Sequence, residues 1–190
     1  MTTGVISALN RPVITAPEAD DQFAAFDAIQ TDAPLNPGSS GGALVDMNGE
    51  LIGVNSAIAT VVGADPGTRP SGSIGIGFAI PADLADRIAR ELIATGRATH
   101  GWLGVQVTND MNNLGARIIG VIDRSPAAAA GLSTGALITK VDDHMIGSAD
   151  ALVAALRSRA PGAQTSVGFV DPSGDHRTLL VTLGTDQGRQ

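Results

Sequence analysis

Residues 36–42 read Asn36-Pro37-Gly38-Ser39-Ser40-Gly41-Gly42, a serine held between glycines, and this stretch decides the fold class. A serine hydroxyl is a weak nucleophile until a positioned base removes its proton, so chemistry at Ser40 calls for a histidine oriented by an acid. The chain has three histidines, His100, His144 and His176, all well downstream of the loop. Gly38 and the residue after it can turn backbone N–H groups toward one point, as an oxyanion requires. Gly41 and Gly42 leave room for a substrate backbone and accept dihedrals closed to other residues. A bare glycine–serine run is more often a surface turn. A phosphate cradle is disfavoured, because no Lys-Ser/Thr pair and no helical pattern follows Gly42.

The flanks decide between these readings. Upstream stands Phe26-Asp27-Ala28-Ile29-Gln30-Thr31-Asp32-Ala33-Pro34-Leu35, and downstream Ala43-Leu44-Val45-Asp46-Met47-Asn48-Gly49-Glu50-Leu51-Ile52-Gly53-Val54-Asn55-Ser56-Ala57. The whole stretch resembles the active-serine region of the HtrA/DegP-like serine proteases, whose motif runs TDAxINxGNSGGxLxNxxGxxIGIN. Ser39 stands where that motif has asparagine. The resemblance implies that Ser40 is the nucleophile and that the N–H groups of Gly38 and Ser40 form the oxyanion hole. It also implies that Leu35 is an apolar wall of the pocket for the residue preceding the cut, a position equally suited to plain core packing. Asn55, Ser56 and Ala57 match the edge strand that pairs with substrate backbone.

Between the breaks, Gly4–Leu9, Phe26–Thr31, Gly42–Met47, Glu50–Ile58 and Ser73–Ile80 read as short strands. Asn48-Gly49 between two apolar runs signals a type I′ hairpin. In the resembling family the protease has two six-stranded barrels, and these strands would be the last five of the second. The family's catalytic histidine and aspartate come from the first barrel, upstream of Met1. The three histidines here read as exposed turn residues. Asp32, close to Ser40 in sequence, cannot relay a proton without a histidine. The chain by itself is therefore expected to be inactive.

After Pro81 the period changes. Leu84, Ile88 and Leu92 recur at four-residue steps among charged neighbours, an amphipathic connecting helix with Gly96 as its stop. From about residue 98 a second unit opens on Trp102-Leu103-Gly104-Val105-Gln106-Val107. Strands over 116–122, 137–141, 165–170 and 179–183, a short helix in Ser125-Pro126-Ala127-Ala128-Ala129-Ala130-Gly131-Leu132 and a longer one over 149–158 follow. That order resembles a PDZ domain of the kind that follows HtrA protease domains. Ala136 and Asp143 depart from its common Gly-Asp-x-Ile and turn-glycine positions.

A PDZ-like groove would anchor a terminal carboxylate on the N–H groups of Leu103, Gly104 and Val105. Val105, Gln106 and Val107 would then pair with the peptide as an added strand. Ala149, Val153 and Leu156 share one helix face and form the expected side-chain pocket. No basic residue lies at those helix positions, which predicts apolar peptide ends.

Composition narrows the partners. Hydrophobic content of 43% with 16% charged residues describes a folded chain, with 3% aromatics leaving an aliphatic core. A net charge of −7 disfavours nucleic acid and anionic membrane. Zero cysteines exclude disulfides and thiolate metal sites, and the histidines lack ligand-like spacing, so neither a metal nor a cofactor is expected. The opening Met1-Thr2-Thr3-Gly4-Val5-Ile6 has no signal-peptide character; the resemblance alone implies the cell envelope.

The fold class is thus mainly β: an incomplete chymotrypsin-like second β-barrel over 1–81, a linker helix over 82–97, a PDZ domain over 98–184 and a tail over 185–190. Two functions stay open. One is the C-terminal portion of an HtrA-like serine endopeptidase acting on unfolded or extended polypeptides in protein quality control. The other is a non-catalytic peptide-binding module carrying a relic half-protease. The family commonly forms trimers through residues at the start of its protease domain, upstream of this chain.

Overall fold

Short runs rich in alanine, isoleucine and valine around the serine loop pair into one antiparallel sheet. Its strands are β1 (Ile6–Ile14), β2 (Ala25–Thr31), β3 (Ala43–Val45), β4 (Leu51–Ile58) and β5 (Gly77–Pro81), in the order β1-β2-β5-β4-β3. The structure is a computed structural model, and it describes residues 1–14, 25–36, 38–58 and 75–186. Part of the strand expected over 73–80 lies outside the described residues. The strands match the expected ones to within a few residues, except that β1 starts later and runs on to Ile14. The sheet is open, with β1 and β3 as its two edges.

The hairpin at Asn48-Gly49 corrects the expected turn. A type I′ turn needs positive φ at both central residues, and only Gly49 has it, at 84°. Asp46 governs the loop instead. Its Oδ1 accepts from the N–H groups of Asn48 at 2.8 Å and Glu50 at 2.9 Å, while its carbonyl accepts from Gly49 at 3.1 Å. An Asx-type closure of this kind competes with the two-residue turn and wins by satisfying more backbone donors. It holds the Asp46 carboxyl below its ordinary range, the bond from Glu50 weighing most.

β5 runs directly into α1 (Ala82–Thr95), which lies against β4 and β5 and ends at Gly96 in the left-handed conformation. Its exit is pinned. Glu91 Oε2 accepts from the N–H and hydroxyl of Thr99 at 2.7 and 2.8 Å, and Arg87 Nη1 bonds Glu91 at 2.8 Å and the Thr99 carbonyl at 3.0 Å. These bonds, led by that from the Thr99 N–H, pull the Glu91 carboxyl below its ordinary range.

The second half contains β6 (Gly101–Trp102), β7 (Val105–Asn109), β8 (Ala116–Val121), α2 (Pro126–Ala130), β9 (Leu137–Val141), β10 (His144–Met145), α3 (Ala149–Arg157), β11 (Gln164–Val170), β12 (His176–Thr182) and β13 (Gly184–Thr185). One sheet runs β12-β11-β9-β8-β7 with β10 on β9, and β13 pairs with β6 apart from it. The glycine-containing turn at Leu103-Gly104 separates β6 from β7 and carries the chain from one sheet to the other. Leu103, Ile118, Ile138, Val141, Leu152 and Val167 fill the core. Both helices start on a serine cap: Ser125 Oγ accepts from Ala128 N–H and Ser148 Oγ from Ala151 N–H, each at 3.1 Å.

Candidate functional site

The serine loop is held from both sides of its glycines. Gly38 and Gly41 sit at φ of 95° and 83°, a region that only glycine enters cheaply. Ser39 N–H donates to the Asn36 carbonyl at 2.9 Å and Gly42 N–H to the Ser39 carbonyl at 3.0 Å. Asn55 clamps the loop with its backbone: Gly41 N–H donates to its carbonyl at 2.7 Å, and its own N–H donates to Gly42 at 2.9 Å. Ser40 is exposed, and its hydroxyl donates to the Ser56 carbonyl at 3.1 Å. Ser56 falls in an irregularity of the β4–β5 pairing, between Asn55↔Ala79 and Ala57↔Phe78. Such bulges re-aim backbone groups beside functional sites.

The expectation that Asn55, Ser56 and Ala57 form an edge strand needs correction at Asn55, whose N–H and carbonyl are both taken by the serine loop. β4 lies inside the sheet, covered by β3 from Leu51 to Val54, and the loop then covers Asn55. Beyond this point the side of β4 away from β5 has no β3 partner, and there the Ser56 carbonyl accepts the hydrogen bond from the Ser40 hydroxyl. Leu35 is buried, packed so closely on Gly77 that a Cβ added there would lie 2.5 Å from its Cδ1. Asp32, near the serine in sequence, is spent elsewhere: its Oδ1 accepts from Val5 N–H at 2.7 Å.

A second concave surface lies between the start of β7 and α3. It encloses about 150 Å³ and is lined by the Gly101–Val105 turn, Val107, Leu152, Val153, Leu156, Arg157 and Asp186. The turn is rigid. The Leu103 carbonyl accepts from Ala127 N–H and the Gly104 carbonyl from Ile122 N–H, both at 2.9 Å. Gly104 has φ of 84°, the left-handed geometry such a tight corner demands.

A family model of the trypsin-like peptidase domain matches residues 1–54, and one of the PDZ domain matches residues 101–182. The serine loop falls in the first and the groove turn in the second. The chain resembles the C-terminal part of the HtrA/DegP-like serine proteases.

Among this family's members, serine protease PepD of Mycobacterium tuberculosis is 62% identical over 97% of this chain and 39% of its own length. The periplasmic serine endoprotease DegP of Escherichia coli is 35% identical over 100% of the chain and 39% of its own length. The chain thus spans well under half of these relatives. Among solved structures, the HtrA-type protease AlgW with a tripeptide superposes with a TM-score of 0.56 at 33% identity, covering 99% of this chain and 61% of that one. AlgW with a decapeptide gives 0.55, also at 33% identity and over 99% of this chain and 56% of that one.

None of the three histidines partners the Ser40 hydroxyl, and two are not the exposed turn residues expected. His100 Nδ1 lies 3.0 Å from the Arg157 carbonyl. His144 faces Asp27 of β2, its Nδ1 3.2 Å from Oδ2, close enough for charge attraction but off the alignment of a hydrogen bond. Only His176 is exposed.

Val105, Val107, Val153 and Leu156 line this cavity, and Leu103 and Gly104 supply its turn. The Gln106 side chain lies toward Gly120 instead, as the two-residue period of a strand requires. Ala149 is not in the lining, its N–H taken by Asn109 Oδ1 at 2.8 Å. Leu152, one helical turn before Leu156, takes its place, a position the i, i+4 spacing contained. Arg157, outside the helix positions singled out by the sequence, also lines the cavity: it is the last residue of α3.

Proposed function

We propose that residues 1–81 belong to the second barrel of a serine endopeptidase, with 82–97 as linker, 98–184 as peptide-binding PDZ domain and 185–190 as tail. Ser40 is the nucleophile, and the N–H groups of Gly38 and Ser40 hold the oxyanion of the tetrahedral intermediate. The observation that carries this reading is the serine loop itself, turned at two glycines and clamped by Asn55 so that an exposed hydroxyl stands on a held backbone. In the resting chain that hydroxyl donates its hydrogen bond to the Ser56 carbonyl, which cannot act as a base. Catalysis then needs a histidine and an acid brought from elsewhere, and the chain alone is inactive.

Leu35 and the Ser56–Ala57 backbone form the substrate side of the cleft, favouring small aliphatic residues before the cut. Substrates are unfolded or extended polypeptides, whose C-termini the groove captures. The name periplasmic carried by DegP relatives supports an extracytoplasmic location. Among the described residues no helix is long and apolar enough to cross a membrane.

Casein hydrolysis by the chain and by Ser40→Ala, side by side, is the test. Both are expected at background. A clear rate that disappears in the alanine variant would overturn the inactivity, and one that persists in it would overturn Ser40 as nucleophile.

A further inference from the structure

The groove's carboxylate end holds an ion pair that its apolar pocket does not need. Arg157 and Asp186 both line the cavity beside the Gly101–Val105 turn. Asp186 lies beyond the segment matched by the PDZ family model, and β13 carries it there by pairing Thr185 with Gly101 and Gly184 with Trp102. It is anchored by His100: its Oδ1 accepts from His100 N–H at 3.2 Å, and its own N–H donates to the His100 carbonyl at 3.3 Å. His100 in turn reaches the Arg157 carbonyl through Nδ1 at 3.0 Å. The contacts among these three residues close a ring, with Arg157 and Asp186 lining the cavity.

The ring is weakest between its two charges. Arg157 Nη1 stands 3.6 Å from Asp186 Oδ2, well beyond the 2.7–2.9 Å of a charge-assisted hydrogen bond. Arg157 Nε is buried with no hydrogen-bond partner among the described residues. A guanidinium presents its N–H groups as a fork fitted to two carboxylate oxygens. Here the fork is loosely engaged by one oxygen, and a buried donor is left unmade, a costly state for a polar group.

We propose that Asp186 is a built-in competitor for the peptide's terminal carboxylate, and that Arg157 is the residue the two contest. This rests on the PDZ reading of the groove and adds a determinant to it. An incoming carboxylate on the Leu103–Val105 N–H groups completes the Arg157 fork and displaces Asp186, which keeps its bond to His100. Amidated or internal segments lack the second charge and leave the Arg157–Asp186 pair in place. The groove then selects true chain ends, as newly cleaved or unfolded polypeptides offer, over internal apolar stretches.

The test uses the full chain and a fluorescent decapeptide ending in valine, as the free acid and as its C-terminal amide, read by anisotropy. Wild type is expected to prefer the acid. Asp186→Asn keeps the acceptor for His100 N–H and removes the competing charge. It is expected to tighten acid binding by about three- to tenfold while leaving the amide unchanged. Arg157→Gln is expected to reduce the acid preference to what the backbone N–H groups alone supply, and Arg157→Lys to restore only part of the loss, because an ammonium lacks the fork. If the acid is preferred but Asp186→Asn does not tighten it, with an unchanged melting temperature, the competitor role is overturned and the groove reading stands. A preference undiminished in Arg157→Gln overturns the role of Arg157. No binding of either peptide to any variant overturns the groove reading and this inference together.

Discussion

Gly104 has two independent reasons to be glycine. Its φ of 84° is closed to most side chains, and an added Cβ would collide with the Cβ of Ser125. Ser125 caps α2, so the clash would be passed to the helix that braces the groove turn. Gly104→Ala is therefore expected to cost about 1–3 kcal/mol in backbone strain and to weaken the free-acid peptide far more than its fraction of unfolded protein explains. A melt and a titration on the same sample check it, and an alanine variant that binds normally would remove the turn from the recognition site. The role of this glycine was legible, because Leu-Gly-Val before an apolar strand marks a tight corner. Arg157 and Asp186 were not. Helix periodicity tracks apolar faces and is blind to a long cation at a helix end, and Asp186 enters the groove only through the pairing of two two-residue strands.

At the scale of elements, β2 gained a role that its sequence did not disclose. Its run Ala25–Thr31 is almost wholly buried, Asp27 included, because α3 lies against it and His144 of β10 faces it. The Asp27 N–H donates to Ser158 Oγ at 2.9 Å. Burial pushes the Asp27 carboxyl above its ordinary 3.8, and the charges of His144 and Arg159 only partly offset this. The folded state thus holds this proton more tightly than the unfolded chain does. Asp27 subtracts stability as pH rises from 3.8 through its raised folded value, and favours folding below that window. Asp27→Asn, a mimic of the protonated form, is expected to raise the melting temperature at neutral pH and to flatten its pH dependence. A lower melting temperature at neutral pH would mean that the Asp27–His144 attraction outweighs the burial cost.

Strand and helix positions were legible from period and punctuation, since alternation, serine caps and the stop at Gly96 all act locally. What escaped depended on partners distant in sequence. β10 and β13 are too short to carry a period, β4 is an inner strand only because β3 folds back on it, and Asp46 overrode the Asn48-Gly49 signal through its side chain.

For the whole molecule, the two sheets meet through the β2–α3 contact, while the five-stranded sheet stays open along both edges. β1 presents Leu9 at 62% exposure on its edge, with Val5 at 62% just before it; near the other edge Val45 and Leu51 stand at 47% and 52%. A long edge strand with apolar side chains pairs readily with another chain, and nothing on β1 but Arg11 supplies the charge that usually prevents this. The net charge of −7 opposes association only beyond contact range and is screened by salt. We therefore expect concentration-dependent self-association that grows with ionic strength. Sedimentation velocity over a concentration series measures it. Leu9→Lys, which places a second cation on the edge, should shift the chain toward monomer without lowering its melting temperature, because Leu9 is not in the core. A chain that stays monomeric at high protein and salt concentration would show that the open edges are self-protected, and the edge argument would fail.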